Sequence, residues 1–202
     1  MSRDGEPEMG YSQAQKAESR QRVLETAARQ IREHGIEALG VADCMRSAGL
    51  THGAFYGHFD SRDALIVEAL EYAVAQSRKR IAALSTGAGG VKAKEPLRVI
   101  AETFLSDRHI KNPGTGCALC ALAGEARHAS PAVRQRLTAY VHSLASQIAQ
   151  SVAGQNESVA LGIVATIVGA VTLARAVDDK ELAKSILSAS LDLIVAQGDG
   201  AK

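Results

Sequence analysis

The stretch that decides the fold runs from Gly40 to Leu65 and reads GVADCMRSAGLTHGAFYGHFDSRDAL. Val41, Cys44, Met45 and Ala48 recur at the three and four residue spacing of one helix face, and Gly49 ends that short helix. After Leu50, Thr51 stands as the cap of a second short helix, His52 to His58, and Ser61 caps a longer helix that starts at Arg62. Two short helices around a Gly-Leu-Thr turn are the parts of a helix-turn-helix. The glycine can take a left-handed conformation, and Leu50 plugs the corner between the helices. In such a pair the second helix offers its N-terminal residues to the DNA major groove. Spacing alone does not separate this reading from any two short helices joined at a glycine.

The residue choices do. Val41-Ala42-Asp43, the run Ala48 to Phe59 and Ser61-Arg62-Asp63-Ala64-Leu65 resemble the N-terminal domain of TetR-family repressors, over roughly Ser19 to Glu71. The resemblance implies that Thr51, His52, Gly53, Tyr56 and His58 face double-stranded DNA. In that reading Thr51 caps and meets phosphate, Gly53 lets the backbone approach, and Tyr56 donates to phosphate. Arg62 stands where the family usually has a lysine aimed at a phosphate. Phe55, Phe59, Leu65 and Val41 are the expected core of the small domain. Two positions depart from the family pattern: Ala54 replaces a frequent Ser or Thr, and Cys44-Met45 replace the commoner Ile-Ala.

Working outward, Val23, Leu24, Ala27, Ala28 and Ile31 give an amphipathic helix from Ala17 to His34, stopped by Gly35. Residues 1–15 are expected to be a disordered tail, 16–76 the DNA-binding domain, and 77–202 a helical effector-binding and dimerisation domain. The helix from Arg62 is predicted to reach about Ala83, with a loop over Ser85 to Lys94. Further helices are predicted from Glu95 to Ile110, Cys117 to His128, Pro131 (capped by Ser130) to Val152, Ser158 to Val177 and Asp179 to Ala196. Strand signals are nearly absent, so the fold class is all-α with about nine helices.

The chain has 202 residues, no tryptophan and a formal charge of +1, so net charge gives no argument for nucleic acid or for a membrane surface. Even Lys16 to Asp63 is nearly balanced. The apolar run Val159 to Val177 is interrupted by Gly162, Thr166, Gly169 and Thr172, which favours a packed helix over a membrane span. The apolar residues of the last two helices exceed what one partner helix covers. A two-fold four-helix bundle in a homodimer accounts for them, and it would pair two recognition helices on a palindromic operator.

Three cysteines without a basic and apolar leader point to a reducing cytoplasm. Cys117 falls at the start of a predicted helix, with Cys120 one turn on and His109 upstream. Two readings stay open: Cys117 senses an electrophile or oxidant with Cys120 as the resolving thiol, or both are small buried hydrophobes. One Cys-x-x-Cys lacks a second ligand pair for zinc, so no metal is expected. No phosphate loop or nucleophile elbow occurs, and neither an enzymatic activity nor a cofactor is expected. The sequence therefore reads as a repressor released from its operator by a small-molecule effector. The alternative is a small helical thiol redox protein using Cys117 and Cys120. An effector site in the larger domain would take an apolar compound, or a carboxylate at Arg108, His109 and Arg127.

Overall fold

A computed structural model of the protein describes residues 7–86 and 95–198. Every regular element among them is helical, with nine α-helices and four short 3-10 turns in chain order. The expected all-α class holds.

Helix α1 (Pro7–His34) buries Val23, Leu24, Ala27, Ala28 and Ile31. It begins well before Ala17, so part of the expected tail is helical. Gln13, Ala14, Gln15 and Lys16 are good helix formers, and a proline is tolerated in a first turn. The rest of that tail lies outside the described residues. Gly35 ends α1 at φ +90°, as a glycine there should. Helix α2 (Val41–Ser47) buries Cys44 and Met45, and Gly49 turns the chain at φ +76°. His52–Gly57 is a 3-10 helix, tighter than the expected α-helical turn, and Ser61 Oγ accepts the Ala64 N–H at 3.0 Å to open α3 (Arg62–Thr86). Phe55, Phe59 and Leu65 are buried and Val41 is half-buried against them, forming the expected core of the small domain.

Helix α3 runs out of this domain and packs on α1, α4 and α7. The loop expected over Ser85 to Lys94 falls largely outside the described residues. The single helix expected over Glu95–Ile110 is two: α4 (Pro96–Phe104) and α5 (Asp107–Lys111). The break lies at Leu105–Ser106, where Ser106 Oγ accepts the His109 N–H at 3.2 Å and so caps α5. The predicted helix over Cys117–His128 is likewise shorter, α6 (Ala118–Leu122) followed by a 3-10 turn at Ala126–His128. Ser130 caps α7 (Pro131–Ala149) by accepting the Val133 N–H at 3.4 Å. Helices α8 (Glu157–Ala176) and α9 (Lys180–Gly198) complete the fold and pack on each other, α8 also on α7 and α9 also on α4.

By length and composition α8 could cross a membrane, but one of its faces, from Ala160 through Ile163, Ile167 and Val171 to Ala174, is buried in the protein.

Candidate nucleic-acid interface

The turn at Gly49 presents the 3-10 helix at the surface. Phe55 is its inward anchor, packed edge-on to Tyr56 and stacked near Phe59 with ring centroids 5.2 and 5.8 Å away. With Phe55 buried, Thr51, His52 and Gly53 face solvent and Tyr56 is 73% exposed. A tyrosine this exposed leaves its hydroxyl free to donate. No atom lies within 4 Å of where a Cβ would stand on Gly53 or Gly57, so both glycines leave open surface. These four expected contact residues are all exposed.

At three of the expected positions the local geometry adds detail. Thr51 occupies the cap position but makes no side-chain cap bond, so its hydroxyl is not spent on the helix. His58 is turned partly inward: Nδ1 is buried without a hydrogen-bond partner, and its ring leans on Phe59. Burial, then the nearby charges of Lys16 and Arg20, pull its pKa down. Arg62 is engaged within the protein. Its Nε donates to Leu39 O at 2.9 Å, and its Nη2 to Ile36 O at 2.6 Å and Glu37 O at 3.1 Å. The guanidinium fork matches the cluster of carbonyls between α1 and α2, which a lysine could meet with only one point charge. Sequence spacing does not reveal this, because the carbonyls come from a segment more than twenty residues away.

Nearby cations are mostly engaged as well. Arg20 pairs with Glu68 and lies over the Phe59 ring, 4.8 Å from its centroid, while Arg46 pairs with Asp43. Arg22 Nε donates to Ala48 O at 3.3 Å, tying α1 to the end of α2.

The second group of candidates, His109, Cys117 and Cys120, does come together, in the interior of the larger domain. His109 Nδ1 donates to Phe104 O at 2.6 Å, which leaves Nε2 to accept the Cys117 N–H at 2.9 Å. The ring is thereby fixed as one neutral tautomer. Desolvation pushes its pKa down to about 4, against the raising effect of the Phe104 bond. The Cys117 sulfur lies 3.3 Å from Tyr140 Oη, which donates to Ser77 Oγ at 2.7 Å. The hydrogen bond from the Cys120 thiol holds the Cys117 thiol below its ordinary range despite burial, and the same bond pushes Cys120 well up. Both cysteines are buried, at 2% and 6% exposure, as is Cys44. No group of His, Cys, Asp or Glu able to hold a metal occurs among the described residues.

Sequence reasoning missed the residue that holds this core in place. Arg175 of α8 donates to the carbonyls of His109, Ile110 and Cys120 at 2.8, 3.2 and 3.3 Å. Arg108 and Arg127 are solvent-exposed.

A short helix, a glycine corner and an exposed second turn on a helical body define a helix-turn-helix protein. Residues 23–69 match the model of the bacterial regulatory proteins of the tetR family. The chain is 30% identical over 81 residues to YerO, an HTH-type transcriptional regulator of Bacillus subtilis strain 168, a match covering 40% of this chain and 28% of YerO. The solved TetR transcriptional regulator of Chloroflexus aurantiacus superposes with a TM-score of 0.72 at 25% identity, over 91% of this chain and 95% of that one. The reduced form of E. coli NemR superposes with a TM-score of 0.73 at 19% identity, over 88% and 95% of the two chains. Residues 23–69 thus resemble a tetR-type helix-turn-helix domain, and the whole chain shares the fold of a solved TetR transcriptional regulator.

Proposed function

We propose that the protein is a homodimeric DNA-binding transcriptional regulator, a repressor that leaves a palindromic operator on receiving a small-molecule or electrophile signal. The observation that carries the reading is the exposure of Thr51, His52, Gly53 and Tyr56 on a turn anchored by buried Phe55. Few side chains on this turn reach base edges, so DNA shape supplies part of the specificity.

The dimer reading rests on apolar side chains of α8 and α9 that the protomer leaves uncovered. Leu161, Leu173, Leu182 and Leu193 are 38, 54, 47 and 56% exposed. Isolated surface leucines are ordinary, but four on two adjacent packed helices form a surface suited to a second copy of the same pair. We read the apolar surface of α8 as a subunit interface in a cytoplasmic protein and not as a membrane contact.

For the sensing half, burial of Cys117 and Cys120 behind Tyr140 favours a structural thiol pair, open only to compounds small enough to reach the core. The same burial disfavours a thiol enzyme acting on a large substrate.

Gel shift on the chain's own upstream region tests the central claim. The expected result is salt-dependent binding of two protomers to a palindrome. A monomer that ignores every such fragment at low salt overturns it.

A further inference from the structure

Arg32 of α1 is 6% exposed, and its Nε is buried with no hydrogen-bond partner. No carboxylate among the described residues forms an ion pair with it. The neighbouring acids are already engaged: Glu33 with Arg29 at 3.4 Å, and Glu25 by the hydroxyl of Tyr72 at 3.0 Å. Burial, then the charge of Arg80, pulls the Arg32 pKa down, against smaller raising effects of Tyr140, Cys117 and Glu33. A guanidinium taken out of water without a counter-ion is costly to the fold, and such a group persists where something else compensates it.

Arg32 also lines an open cleft of about 490 Å³, a volume within the range of small-molecule sites. Arg29 and Arg32 of α1, Tyr72 and Gln76 of α3, and Thr115 of the turn Pro113–Thr115 form its walls. The lining cations outnumber the one lining carboxylate, Glu25. Gln76 donates to Tyr72 Oη at 3.0 Å, which keeps that wall polar and ordered.

We infer that this cleft binds a small organic acid, whose carboxylate takes the place of the missing partner of Arg32 and is shared with Arg29. The site differs from the Arg108, His109 and Arg127 set expected from the sequence, since it lies where the DNA-binding domain meets the larger one. An acid held there bridges α1 to the turn at Thr115, whose carbonyl Arg80 already holds at 2.9 Å. The consequence for DNA rests on the regulator reading, but the binding event does not.

The test is isothermal titration calorimetry on the full-length chain with benzoate, hexanoate and inorganic phosphate, and with benzamide as the uncharged control. Benzoate or hexanoate should bind saturably and more tightly than phosphate, and benzamide should not bind. Arg32→Met should weaken the acid at least about tenfold through loss of a charge-assisted contact. Arg32→Met without ligand should melt no lower than the wild type, because the lost charge had no partner. If that variant does not fold, Arg29→Gln carries the affinity test. Absence of saturable binding by both acids, equal or tighter binding of phosphate, or affinity unchanged in the folded variants overturns the inference. A chain that binds benzoate but no DNA sinks the regulator reading alone, and one that binds DNA but no acid sinks this site alone.

Discussion

Glu125, past the end of α6, accepts the main-chain N–H of Ile36 through Oε2 at 3.0 Å, so a side chain of the larger domain holds the turn that leads into the helix-turn-helix. Gly35 lies against the same carboxylate, and a Cβ there would stand 2.6 Å from Oε1. In the proposed ligand-responsive regulator a signal would pass through such contacts, because a ligand shifts DNA affinity only through groups that differ between the two states.

Glu125→Ala therefore should leave the Ile36 N–H without its partner and cost about 1–2 kcal/mol. The expected outcome is a lower melting temperature and a weaker effect of any bound effector on operator affinity, measured by titrating DNA with and without it. A melting temperature and coupling both equal to wild type would show that the contact transmits nothing.

Arg62→Ala separates two roles for one residue. Since its fork serves the carbonyls of Ile36, Glu37 and Leu39, the variant should lose about 2–3 kcal/mol in urea unfolding, in the range for hydrogen bonds from a charged donor. The slope of log affinity against log salt should stay unchanged. A slope reduced by about one charge would restore the phosphate contact expected from the sequence.

Tyr56→Phe removes only a hydroxyl that faces solvent. Stability should stay within about 0.5 kcal/mol. Operator affinity should fall about fivefold, the value of roughly one hydrogen bond, as read by fluorescence anisotropy. An unchanged affinity would return Tyr56 to the status of a surface aromatic.

What the sequence made legible follows from how local each device is. Gly35 and Gly49 were readable because a left-handed residue announces itself, and Ser61 and Ser130 because a cap acts within three residues. The break at Leu105–Ser106 was hidden. The apolar series Leu97, Ile100, Ala101, Phe104 and Leu105 carries a helical period up to the break, and only Ser106-Asp107 signals a fresh start. The arginines were the least legible. Arg32, Arg62 and Arg175 look like solvated positions on amphipathic helices, yet Arg32 is buried and the other two bind main-chain carbonyls of distant segments. Periodicity marks which face is apolar. It cannot show where a long polar side chain ends.

Leu193→Glu puts a charge on the exposed apolar surface shared by α8 and α9. In the proposed four-helix interface two copies of that charge would be buried near a two-fold axis, so the dimer should dissociate while each protomer keeps its helicity. Sedimentation should show a monomer, and affinity for a palindrome should fall to that for a single half-site. A dimer retained in the variant would move the interface elsewhere.

His109 predicts a particular response to acid. Its pKa lies near 4 in the folded protein against 6.5 for an unperturbed histidine, chiefly because burial disfavours the cation. A depressed folded pKa means that the unfolded chain binds the proton first. The stability that goes with neutral His109 is thus complete above about pH 6.5 and is lost progressively as pH falls to about 4, for a total on the order of 3 kcal/mol. His109→Gln cannot take up that proton, so its stability should fall less steeply over this window although it starts lower from disturbed bonds to Phe104 and Cys117. Urea unfolding of both proteins across the pH range isolates the difference, since the carboxylates contribute to each alike. Parallel curves would mean that His109 titrates normally, and the fixed neutral tautomer beside Cys117 would have to be given up.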